Sequence, residues 1–303
     1  MYKRQVLHDR QFIYGDPDKA FAEADHVIKL NWRYPKQSAT PMETFGVIAQ
    51  FERQPDRYTV WSNFQGPYIL QPIMARALRV SGNFLRLISA PFSGGSFGLK
   101  QSIYPYIVLL AAASRISGLP LKWTEDRLEH LMASSSAADR ADELEAAFTS
   151  DGTLLGLRFK NCVNVGAYVR APEPASVYRM HAASNGCYAV KNISIQNKLV
   201  STNKMPVGLN RGYGGPQFYY GLERMMDLTA RKLNIDTAEI RRKNFIPEDQ
   251  FPYHAPAGAI YDSGNYSEAL DLLLKLSNYE NIKRRRQQAR AAGKLFGIGM
   301  GAG

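Results

Sequence analysis

Cysteine is scarce in this 303-residue sequence: Cys162 and Cys187 are the only two, without C-x-x-C spacing. A disulfide framework, and an iron–sulfur or zinc centre held by this chain, therefore find no support. The five histidines form neither an H-E-x-x-H nor an H-x₃₋₅-H pattern, so a metal held by protein side chains is not expected. Long apolar runs are missing as well. The run from Ile103 to Ala113 is too short, and too near Pro105 and Arg115, to cross a bilayer, and no cationic stretch followed by an apolar core opens the chain. The familiar phosphate loops are also absent. In "PFSGGSFGLKQ", Gly94, Gly95 and Gly98 have the wrong spacing for G-x-G-x-x-G, and Lys100 follows Leu99 where a P-loop requires glycine.

What is present is the composition of a soluble globular protein, 45% hydrophobic and 11% aromatic, which excludes disorder and fibre. Lys and Arg outnumber Asp and Glu by 38 to 27, but the excess is spread along the chain. Its one dense run, Lys283 to Arg286 in "IKRRRQQAR", has no interleaved aromatics and reads as a solvated helix face rather than a nucleic-acid surface.

Periodicity places the elements. "GDPDKAFAEADHVIKLNWRY" reads as an amphipathic helix, capped by Asp16 or Asp18 and carried by Ala20, Phe21, Ala24 and Val27, feeding a strand. Alternation in "GVIAQFE" and "RYTVWSN" predicts paired strands. A helix should follow Gly66-Pro67, then the strand "FLRLISA". "SIYPYIVLLAAASRIS" is apolar nearly all round and reads as a buried helix, with Pro105 tolerated in its first turn. The middle third reads as strand-rich around an Asp151-Gly152 hairpin turn. Pro216 suits the first turn of the helix "QFYYGLERMMDLTARKLN". Next come a short helix with Asp236 and Glu239 as a capping-box pair, and a helix capped by Ser267.

Two segments share one design: glycines leading into a helix, in "PFSGGSFGLKQ" and in "VGLNRGYGGPQ". Glycine at that density means positive φ or a close approach that leaves no room for Cβ. The helix start behind it can seat an anion or a metal-bound oxygen, or the loop can be only a tight turn.

Taken in order, "PMETFGVIA" with "WSNFQGP", "GGSFGLKQ", "NRGYGGPQFYYGLERMMDLTARKL", and "YDSGNY" after "RRKNFI" and "PY" resemble a known family. It is that of the large, molybdopterin-binding subunits of xanthine dehydrogenase and aldehyde oxidase, the molybdenum hydroxylases. Each stretch is a weak signal alone; the ordered set, from about Gly15 onward, is specific. The resemblance implies a mixed α/β (α+β) fold, the first molybdopterin-binding domain of such a subunit. That domain would span 15–250, with 1–14 a remnant or linker (Met1 to Gln5 even foreign) and 251–303 a linker helix and the opening of a second cofactor domain. "GKLFGIGMGAG" would be the first strand of that second domain.

The resemblance also implies roles. Gln65 matches the glutamine that approaches the apical ligand of molybdenum. Gly94, Gly95, Ser96, Phe97 and Gly98 match a loop whose backbone N–H groups face the cofactor, and Arg211 and Gly212 match the pair beside the metal. Tyr213 stands where many members carry a substrate-stacking phenylalanine. Three departures bear on cofactor approach or on substrate, the first of them on the cofactor. Ser96 replaces the loop's middle glycine. Gln101 stands where purine oxidisers carry a glutamate, so a charged acceptor is lost and xanthine is disfavoured. Gly212 stands where carbon monoxide dehydrogenases carry a copper-holding cysteine, which disfavours carbon monoxide. Arg179, eight residues before Cys187, matches the spacing of a substrate arginine. Glu43 is read as structural.

The implied cofactor is molybdenum-molybdopterin, in its plain or cytosine dinucleotide form, with no metal bond from these side chains. The implied partners are an iron–sulfur subunit bearing [2Fe-2S] and a FAD subunit, or the same centres on segments outside this stretch, as a dimer of heterotrimers when complete, in the cytoplasm or else the periplasm. The implied reaction is hydroxylation of an aldehyde or N-heteroaromatic compound with oxygen from water, its catalytic glutamate lying beyond Gly303. Two other functions remain open at this stage: an inactive assembly module, and a binding protein for an anionic metabolite.

Overall fold

The computed structural model describes residues 5–302. Met1 to Arg4, most of the opening read as foreign, lie outside the described residues. The chain runs through β1 (Gln5–Tyr14), α1 (Pro17–Ala22), β2 (His26–Tyr34), β3 (Gly46–Arg53), β4 (Asp56–Ser62), α2 (Pro67–Leu78), β5 (Leu85–Ser89), α3 (Tyr104–Ser117), β6 (Leu121–Thr124) and α4 (Arg127–Ala133). It continues with β7 (Asp139–Phe148), β8 (Leu154–Gly166), α5 (Ala175–Tyr178), β9 (Asn192–Ser201), α6 (Gly215–Leu233), α7 (Thr237–Asn244), β10 (Tyr253–His254), β11 (Ile260–Tyr261), α8 (Tyr266–Ser277) and α9 (Tyr279–Ala291).

Two sheets organise these elements into a mixed α/β architecture. The larger has the order β1-β9-β8-β7-β2, antiparallel except for the β8–β9 pair, and the smaller has the order β5-β4-β3-β6. In β7, β8 and β9 every second side chain, including Leu144, Ala146, Leu157, Phe159, Ile193 and Ile195, is buried on one face. Helix α6 covers that face with Phe218, Leu222, Met225 and Met226, residues spaced to fall on one side of a helix. The smaller sheet packs Val47, Ala49, Tyr58 and Val60 against Leu70 and Met74 of α2 and Ile107 and Ala111 of α3, a second core.

Most sequence expectations hold, and the exceptions have local causes. Residues 5–14, set apart from the domain by the sequence, form the edge strand β1, paired with β9 from Gln5 to Tyr14 with a bulge between Val6 and His8. Phe12 and Tyr14 there pack edge-on against His181, a long-range contact no local pattern reveals. Helix α1 ends at Ala22, so Ala24 and Val27 do not continue it; Asp16, not Asp18, caps it by accepting from the Lys19 N–H at 3.0 Å. Helix α3 is not buried all round: Leu109 and Ile116 are exposed, while Ile107, Ala111 and Ser114 face the sheet.

Asp236 caps α7 as expected, but Glu239 turns to Arg242 instead of closing a capping box. Helix α8 is capped by Asn265, whose Oδ1 accepts from Glu268 N–H, and Ser267 lies inside the helix. The segment 294–302 is not a strand. Its backbone is held instead by Arg241, which donates to Met300 O at 3.0 Å, and by Glu223, which accepts from Ala302 N–H at 2.9 Å.

Candidate cofactor site

The first glycine loop joins β5 to a short 3₁₀ turn, Leu99–Ile103, that leads into α3. Glu43 holds its near end. The Glu43 carboxylate accepts from Gly94 N–H at 3.0 Å and pairs with the Lys100 ammonium, which is wholly buried. Burial works to raise the Glu43 carboxyl, but hydrogen bonds from Lys100, Asn63 and Gly94 outweigh it and keep it below its ordinary range. The sequence reading of Glu43 as structural agrees with this placement; Lys100 was overlooked, although a lysine inside an apolar stretch was the available signal.

Ser96 is folded into the loop rather than standing out from it. Its hydroxyl donates to Gln65 Oε1 at 2.6 Å and accepts from Gly98 N–H at 3.3 Å and Lys100 N–H at 3.1 Å. This corrects the expectation that all the loop's N–H groups face outward: those of Gly94 and Gly98 are used internally. The N–H groups of Gly95, Ser96 and Phe97 make no hydrogen bond among the described residues. Three consecutive donors are thus left beside Gln65, whose Oε1 is occupied and whose amide N–H₂ can donate outward.

The second loop lies directly against the first. Gly98 has φ +107°, and a Cβ there would fall 2.9 Å from the Leu209 carbonyl carbon; one on Gly208 would fall 2.7 Å from Ser102 Oγ. Both glycines are needed for contact between the loops, not only for turning. Val207 bridges to Ser136, which fixes how the second loop is laid down. Beyond it, Arg211 is exposed, and its guanidinium has no ion pair or hydrogen bond among the described residues. Gly212 and Gly214 both have φ +83°, with Tyr213 between them at φ +20°.

The remaining residues singled out in the sequence divide. Arg179 does reach the second loop, 3.5 Å from Gly212 O and 3.4 Å from Tyr213 O. Gln101 is buried within the 3₁₀ turn, and its Oε1 has no partner among the described residues. Tyr213 is turned inward and is only 9% exposed, its hydroxyl donating to Glu173 at 3.1 Å. Burial, and then the Glu173 carboxylate, push the phenol far above its ordinary range. Glu173 itself was missed, although a carboxylate between two prolines in "APEPAS" was there to be noticed. Burial raises it, against hydrogen bonds from Ser176 and Tyr213. The two loops are therefore neighbours, and Gln65, Arg179 and Arg211 gather around them.

With that geometry in view, the comparison with known proteins is decisive: residues 2–245 match the model of the molybdopterin cofactor-binding domain. The chain belongs to this family. It is 33% identical over 290 residues to the nicotine 6-hydroxylase large subunit of Paenarthrobacter nicotinovorans, covering 95% of this chain and 35% of that one. It is 35% identical over 306 residues to the carbon monoxide dehydrogenase large chain of Hydrogenophaga pseudoflava, covering 97% and 38%. Among solved structures it is similar to quinoline 2-oxidoreductase from Pseudomonas putida 86, with a TM-score of 0.88 and 30% identity, covering 95% and 37%. The chain thus spans little more than a third of the length of these relatives. The resemblance to molybdenum hydroxylase large subunits read from the ordered motifs is borne out.

The residues fit a molybdopterin-type group. Three adjacent free N–H donors, the Gln65 amide and an unpaired guanidinium suit a group rich in acceptor oxygens and phosphate, and Gln101 Oε1 is an acceptor still in need of a donor. An apolar cavity of about 460 Å³ lies elsewhere, between α8, the segment 300–302 and Cys187. Burial, and then the Glu223 charge, push the Cys187 thiol up to about 12, which makes it a poor nucleophile.

Proposed function

We propose that this chain forms the first half of the cofactor site in a molybdenum-dependent oxidoreductase that hydroxylates an electron-poor carbon with oxygen from water. The observation that supports the reading is the contact between the two glycine loops at Gly98 and Leu209, which sets the loop with the free N–H groups of 95–97, tied to Gln65 through Ser96, against the loop that carries Arg211. When bound, the cofactor would supply the two-electron oxidation.

The chain's own residues hold and orient. Gln65, steadied by Ser96, donates from its amide; Gly95, Ser96 and Phe97 donate from the backbone; Arg211 places a fixed positive charge beside Gly212. Gln101 offers a neutral acceptor where a carboxylate would favour cationic or strongly donating substrates. Together with the names of the nicotine- and quinoline-oxidising relatives, this supports an N-heteroaromatic substrate over an aldehyde. The iron–sulfur and FAD partners, the cytoplasmic location and the dinucleotide form of the cofactor belong to the same proposal.

The test is turnover of quinoline-type and nicotine-type compounds by the native assembly in water labelled with heavy oxygen. Label in a hydroxylated product supports the reading. Product carrying oxygen from dioxygen, or no conversion of any N-heteroaromatic or aldehyde by cofactor-loaded protein, overturns it.

A further inference from the structure

Tyr213 combines three features that ask for a common cause: a backbone at φ +20°, a ring turned inward between two left-handed glycines, and a hydroxyl that ends on a buried carboxylate. The segment beneath it supplies that cause. Ser176 Oγ donates to the second oxygen of Glu173 at 2.6 Å, so both oxygens of the carboxylate are engaged. Gly214 lies so close to Ser176 that a Cβ there would fall 2.5 Å from its carbonyl oxygen. From the far end of the same segment, Arg179 reaches the carbonyls of Gly212 and Tyr213.

A left-handed conformation at a residue other than glycine persists only when its surroundings over-determine it. The turn Asn210–Gly214 has few contacts of its own beyond Tyr213 N–H to Asn210 O at 2.7 Å and Gly215 N–H to Gly212 O at 3.0 Å. We propose that Glu173 is a positioning residue: by holding the Tyr213 hydroxyl, and itself held by Ser176, it clamps the turn that presents Arg211 and Gly212 to the cofactor face. Among the described residues Glu173 makes no hydrogen bond to Gly212 or Gly214, and it acts through Tyr213.

The inference rests on the proposed function only for what Arg211 and Gly212 present; the clamp itself is a property of the chain. The test is limited trypsin digestion of the native protein, read at the Arg211–Gly212 bond, because cleavage there follows the population of the opened turn. Tyr213→Phe removes only a hydroxyl, and Glu173→Ala removes its acceptor. Tyr213→Phe is expected to speed that cleavage about tenfold, the effect of losing one buried hydrogen bond, and Glu173→Ala, which also leaves Ser176 without its acceptor, by at least as much. Glu173→Gln keeps an acceptor for Tyr213 and a partner for Ser176, and is expected to restore near wild-type resistance.

Cleavage after the buried Arg140, within β7, reports global unfolding, so the ratio of Arg211 cleavage to it isolates the turn. An unchanged ratio in Tyr213→Phe and Glu173→Ala, or a Glu173→Gln variant as labile as Glu173→Ala, overturns the clamp. Either result leaves the proposed reaction untouched, since digestion needs neither cofactor nor substrate, and a failed turnover test would equally leave the clamp standing.

Discussion

Asp142 is buried on the face of the large sheet that α6 covers, and Arg140 Nε is 3.1 Å from its Oδ2. Burial dominates that attraction and raises the carboxyl from its ordinary 3.8 to about 6. The folded chain then keeps a proton that the unfolded chain has already released. Stability from this group is fully present below pH 3.8 and is lost as pH rises to about 6, a change of roughly 3 kcal/mol. Asp142→Asn removes the titration. The stability difference between wild type and variant, from urea midpoints at successive pH values, is expected to fall by that order between those limits; a flat difference contradicts it.

Asp142 was illegible in the sequence because its environment comes from strands far away in the chain; Lys100 and Glu173 offered a local oddity, but the partners that bury and bind them were not readable from it. The close approach at Gly98 was legible because a backbone that must turn or approach closely leaves a glycine pattern behind it, whereas Gln65 and Arg211 were singled out only by the resemblance to the family. Ser96 was half legible, since its departure from glycine was visible but its three hydrogen bonds were not.

At the scale of elements, α6 decides how the second loop sits on the large sheet. Gly221 is where the helix meets β2: a Cβ there would fall 2.4 Å from the Trp32 ring. Gly221→Ala would gain about 1 kcal/mol of helix propensity, but overpacking a closed core costs about 1–3 kcal/mol, so the packing term should win. A lower unfolding midpoint with altered Trp32 fluorescence is expected, and an unchanged or raised midpoint would contradict the close contact. Strands and helices were mostly readable from periods of two and 3.6. The failures were at ends, where Asn265 rather than Ser267 caps α8 and α1 stops at Ala22, because caps depend on side-chain geometry more than on residue type.

At the scale of the molecule, two cores carry two loops, and the loops meet. The five-stranded sheet with α6 supports Arg211 and Gly212, while the four-stranded sheet with α2 and α3 supports Gln65 and 94–98. Neither sheet alone could form the face proposed for the cofactor, and their meeting at Gly98 and Leu209 is the step on which the account depends. The most direct measurement is the molybdenum and pterin content of the native assembly, for wild type and for Gly98→Ala, with helix content checked in both. The account predicts about one molybdenum and one pterin per wild-type chain and a several-fold loss in the folded variant, whose Cβ would push the loops apart. A wild-type assembly devoid of both, or a folded Gly98→Ala variant with undiminished content, would contradict it.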